Sequence, residues 1–166
     1  MLTSQRAASR GMTLIELMVT LTIAAVLMFA VIPDIGAWIR NLQVRNAAEA
    51  IQAGMQQARN EALRRNQPVR FSLVSLADPN TMDNSCALSS AAGSWVISLR
   101  DPSTKCGAAP SDTVDPMLIA KHAVGDGGRN TVVASLQADG ATAATDVTFD
   151  SFGRATSAAA VARIDI

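Results

Sequence analysis

The 166-residue sequence predicts an α+β fold: a long N-terminal helix, half membrane-type and half amphipathic, packed on a small antiparallel β-sheet domain. Three observations lead there. Residues 12–32 form an apolar run whose only charged side chain is Glu16. Residues 33–66 change to a mixed pattern with charge on some helix faces and small apolar residues on another. Beyond Gln67-Pro68 the chain breaks into short alternating segments separated by turn residues.

The apolar run comes first. Its 21 residues, at about 1.5 Å rise each, are enough to cross a hydrocarbon layer of about 30 Å. The stretch before it carries Arg6 and Arg10 and no acid, which places the N-terminus in the cytoplasm and exports the remainder. A cleavable secretory signal fits poorly, because the run is too long, contains Glu16 and lacks a small-x-small site before Pro33. A plain single-span anchor leaves Glu16 unexplained. An ionised carboxylate in lipid is costly, so it selects for a neighbour that supplies positive charge. Pro33 removes an N–H and crowds the preceding turn, so a kink is expected there.

Downstream, Val44, Ala48, Ile51, Met55, Ala58 and Ala62 recur at steps of four and three, the spacing of one helix face. That face is expected to dock on the sheet. Arg40, Arg45, Glu49, Arg59, Glu61, Arg64 and Arg65 largely occupy other faces and read as solvated helix charge rather than a nucleic-acid surface. Strands are predicted at Val69, Phe71 and Leu73 with their alternating partners, then over 95–99, 117–124, 131–136, 146–150 and 161–166. Such a sheet would be half buried, with one face on the helix.

Two loops, 77–94 and 100–116, hold the only cysteines, Cys86 and Cys106. In an exported domain these are expected to form a disulfide. Two cysteines and the single His122 do not make a zinc set, so no metal is expected. Nor is a cofactor or an enzymatic activity: there is no phosphate-binding glycine loop and no nucleophile motif. Asp101, Asp112, Asp115 and the other loop acids read as turn formers.

Arg10-Gly11-Met12-Thr13-Leu14-Ile15-Glu16-Leu17 resembles the processing motif of type IV pilins and of the pseudopilins of type II secretion. The resemblance implies cleavage after Gly11 by the prepilin peptidase and methylation of the new amino terminus on Met12. Most members have Phe where this chain has Met12. Glu16, fifth in the processed chain, would pair with the terminal amine of a neighbouring subunit, and Pro33 matches the kinking proline of the pilin helix. The implied fold is pilin-like. Its divisions are a leader over 1–11, a membrane and filament-core helix over 12–32, the amphipathic continuation over 33–66 and a periplasmic β-rich domain over 67–166.

The helix end Asn60-Glu61-Ala62-Leu63-Arg64-Arg65-Asn66 and the closing Phe149-Asp150-Ser151-Phe152-Gly153-Arg154 resemble the GspH/FimT-type minor subunits. This kinship implies a minor pilin that starts assembly of, or caps, a type IV pilus. Its implied partners are the prepilin peptidase, other minor and major pilins and the inner membrane, with residence in the inner membrane preceding the filament. The alternatives are a type II secretion pseudopilin at the pseudopilus tip and a DNA-binding minor pilin of natural transformation. Residues 67–166 carry seven Lys and Arg against ten Asp, a net −3 that disfavours phosphate binding. DNA-binding members carry Gly-Arg-x-Arg, and Gly153-Arg154-Ala155-Thr156 keeps only the first arginine. Arg154 and Arg163 are the candidates for a weak DNA contact, each with an Asp close by in sequence, Asp150 and Asp165.

Replacing Gly11 with Val should leave an uncleaved precursor on an immunoblot, because the missing side chain lets the backbone lie close to a protease. Glu16→Ala should be cleaved normally yet enter filaments poorly; normal incorporation would remove the charge-pairing role.

Overall fold

The computed structural model describes residues 11–129, 131–157 and 159–166, and within them not the side chains of 30–34. The leader arginines and the expected Pro33 kink lie outside the described residues. The chain divides into two compact units, Met1–Ile39 and Arg40–Ile166. Helix α1 is Leu14–Arg65. It ends where the sequence pattern ends: Arg64 and Arg65 occupy the last turn, where cations complement the helix dipole, and Asn66 follows with a left-handed φ of 50°.

Seven strands follow: β1 (Val69–Ser75), β2 (Ala87–Leu88), β3 (Ser94–Ser98), β4 (Leu118–His122), β5 (Ala134–Leu136), β6 (Asp146–Phe149) and β7 (Arg163–Asp165). Six fall within or on the segments the alternation predicts; the two-residue β2, too short for a pattern, does not. The main sheet is antiparallel in the order β2-β1-β3-β4, and β6 pairs with the start of β1. β5 and β7 make a separate antiparallel pair.

Inside the second unit, Ile51, Ala58 and Ala62 of the helix share one core with Val69, Phe71, Leu73, Trp95, Ile97 and Val147 of the sheet, and with Val133. The buried helix stripe is rotated from the predicted one. Ala47 and Gly54 are buried, whereas Val44 and Ala48 are exposed. The reason is Gly54: a Cβ there would lie 2.8 Å from Phe71 Cε2 and from Trp95 Cε2, so the two rings occupy the space a side chain would need. Counting apolar residues cannot see that a missing side chain marks the contact.

The expectation of a half-buried sheet also needs correction. β3 is buried along its whole length, and β1 is buried on both faces apart from its end and the partly covered Arg70. The face turned from the helix is covered by a second core of Val74, Cys86, Val96, Cys106 and Leu118. Ser72, Ser94 and Ser98 are small enough for loops to close over that side. Cys86 and Cys106 are joined, with Cα atoms 6.2 Å apart, and both are fully buried. Lys121 braces the same loop: its Nζ donates to the carbonyls of Cys106, Gly107 and Ala108 at 3.0, 3.2 and 3.0 Å. All three ammonium donors are thereby used.

Gly54→Ala should destabilise the folded unit by about 1–3 kcal/mol through overpacking, read as a lower denaturant midpoint. Cys86→Ser should cost up to about 3 kcal/mol under oxidising conditions. Combined with Lys121→Met it should depart from additivity by more than about 0.5 kcal/mol, because both groups hold one loop.

Candidate functional site

Two regions carry the residues singled out from the sequence. In the first unit, Gly11 to Thr13 precede the helix and Thr13 caps it: the Glu16 backbone N–H donates to Thr13 Oγ1 at 3.3 Å. Thr13-Leu14-Ile15-Glu16 has the spacing of a capping box, a signal present in the sequence but masked by the more conspicuous glutamate. Glu16 also lies in the first helical turn, where the dipole favours an acid.

Further along, the hydroxyls are satisfied by the helix itself. Thr20 Oγ1 donates to the Leu17 carbonyl at 3.0 Å, and Thr22 Oγ1 to the carbonyls of Met18 and Val19 at 2.6 and 3.0 Å. The Glu16 carboxylate takes part in no hydrogen bond or ion pair among the described residues, although its own backbone is capped. Around it the large apolar side chains stand exposed, from Met12 at 66% to Phe29 at 80%. An exposed apolar surface with one unpaired acid is costly in water, and the acid is costly in lipid. Among the described residues no helix is long and apolar enough to cross a membrane. The span expected over 12–32 runs into residues 30–34, whose side chains are outside the description.

The second region is the turn after β6. Asp150 organises it: Oδ1 accepts the backbone N–H of Phe152 and of Arg154, both at 2.9 Å, and Oδ2 accepts Arg154 Nε and Nη2 at 3.2 and 3.1 Å. These bonds, the backbone N–H of Arg154 foremost, hold the Asp150 carboxyl below its ordinary pKa. Gly153 supplies the left-handed φ of 71° that closes the turn. Arg163 donates from Nε to Asp165 Oδ1 at 2.9 Å. Each candidate DNA-contacting arginine is therefore paired with its own Asp, and among the described residues no hydrogen bond or ion pair joins Arg154 and Arg163 to a common group.

The loop acids sort by position. Asp78, Asp83, Asp101 and Asp139 each accept the backbone N–H two residues on, as turn formers do. Asp112 and Asp115 instead form ion pairs, with Arg65 and with Lys105. Glu61 loses some hydration by burial, yet its bonds from Arg64 and Arg65 outweigh that and leave its pKa lowered. His122 stacks on Trp95 with ring centroids 5.5 Å apart. Among the described residues no group of His, Cys, Asp and Glu could hold a metal ion.

Residues 6–32 match the prokaryotic N-terminal methylation motif, and residues 47–165 match the family described as type II transport protein GspH. No curated protein and no solved structure matches the chain. The first match covers Gly11, Met12 and Glu16 and stops one residue short of Pro33; the second covers both cysteines, the Asp150 turn and the two arginines.

Asp150→Asn should lower the stability of the folded unit at neutral pH. A carboxylate with a depressed pKa contributes fully above its ordinary pKa and loses that contribution as pH falls through the lowered value. The gap between parent and variant in thermal melts should therefore close in strong acid.

Proposed function

Because the chain belongs to the GspH family of type IV pilin-like proteins, we propose that it is a minor pilin, cleaved behind Gly11, that helps to initiate or cap a type IV pilus. The observation that carries this reading is the exposed apolar surface of residues 12–29 around the unpaired Glu16 carboxylate. Burial against parallel helices of other subunits would cover that surface at about 25 cal/mol per Å² of apolar area. A new terminal amine on Met12 of a neighbour is the cation that Glu16 lacks. Membrane residence before assembly, the prepilin peptidase and other pilins as partners follow from the same segment. The role is structural, and no step of it calls for catalysis.

The acidic balance of residues 67–166 and the pairing of Arg154 and Arg163 with Asp150 and Asp165 weigh against DNA as the ligand. Sheared surface filaments should be lost from a strain lacking the gene and restored by complementation. Unchanged filaments would reject the initiating role and direct attention to type II secretion.

A further inference from the structure

In the second unit the rings of Phe71 and Trp95 are buried and Phe149 is partly covered, but Phe152 is 71% exposed. One exposed apolar residue is ordinary. What sets Phe152 apart is its mounting. Asp150 receives four hydrogen bonds from Phe152 and Arg154, and the backbone closes the turn with Gly153 N–H to Asp150 C=O and Asp150 N–H to Arg154 C=O, both at 2.9 Å. Gly153 is buried against the helix: a Cβ on it would lie 3.0 Å from Arg59 Nε and 3.4 Å from Leu63 Cδ1. The turn therefore holds in a fixed place the backbone that presents the ring outward, so little backbone freedom remains to be lost on binding.

The surroundings indicate what would receive it. Leu63 beside the turn is 48% exposed, which widens the apolar surface. The Arg154 guanidinium lies 5.1 Å from the Phe152 ring centroid but is neutralised by Asp150. Arg59 has no carboxylate partner among the described residues and contributes uncompensated positive charge. Aromatic and arginine side chains together, on a pre-ordered mount, are the composition of an interface anchor.

We propose that Phe152, with Arg59 at its side, is the anchor by which the folded unit docks on a neighbouring filament subunit, entering an apolar cup that has a carboxylate on its rim. The inference rests on the reading that the chain is built into a filament. The test expresses full-length parent, Phe152→Ala, Phe152→Trp and Arg59→Glu in a strain lacking the gene. It compares processed chain in sheared filaments with that in membranes, and melting of each full-length variant in detergent.

Phe152→Ala and Arg59→Glu should each lower the filament-bound fraction by about five-fold or more. Phe152→Trp should retain it, with cleavage behind Gly11 and melting temperature unchanged throughout. Parental incorporation of Phe152→Ala overturns the anchor, as does a loss that tracks a lowered melting temperature. Duplex DNA binding that disappears in Phe152→Ala while incorporation stays intact also overturns it, by assigning the ring to nucleic acid. Absence of the parent itself from filaments would remove the assembly reading and the anchor together, whereas a filament-bound parent with an unaffected Phe152→Ala removes only the anchor.

Discussion

The approach of the helix backbone to the rings of Phe71 and Trp95 at Gly54 is the contact on which the second unit depends. A residue with any side chain at that position would hold the helix away from β1 and β3, and Ile51, Ala58 and Ala62 would lose contact with the sheet. Ala58 and Ala62 serve the same close approach one and two turns on. The cost falls on Trp95, whose Nε1 is buried without a hydrogen-bond partner among the described residues. Apolar burial of the ring outweighs one unsatisfied donor.

With the helix placed on one face, the other face of the sheet has no helix to cover it. The long loops do that work, and they cannot do so by apolar burial alone because they are rich in Asp, Ser, Pro and Gly. Three kinds of tether compensate. The Cys86–Cys106 bond supplies two buried sulfurs to the second core, Lys121 gathers three loop carbonyls, and Arg65 links the helix end through Glu61 and Asp112. Aspartates that shape single turns complete the loops from within, by satisfying backbone donors that would otherwise be exposed or unpaired.

The residues 12–29 obey a different logic. Their hydroxyls and backbone are satisfied internally, by Thr13 at the cap and by carbonyls one turn back, so the helix needs nothing from outside to form. What it lacks is cover for its apolar side chains and a counter-charge for Glu16. A second chain would supply both, and that is the ground for the proposed role in assembly.

Much of this was legible in the sequence because it rests on local rules. The apolar run, the acid within it, the helix end at Asn66 and six of the seven strands follow from periodicity and turn chemistry. The pairing of Cys86 with Cys106 was legible because there are only two cysteines. The rotated helix stripe was not, since Gly54 is buried for what it lacks. The second core was not, because Ser72, Ser94 and Ser98 read as a solvent face until loops distant in sequence close over them. Arg154 and Asp150 are four positions apart in the sequence, but only the left-handed Gly153 turns one back onto the other and leaves Phe152 outside. Periodic patterns record which side chains need cover; which group provides it is settled by contacts between segments far apart in the chain, and those exist only in the folded protein.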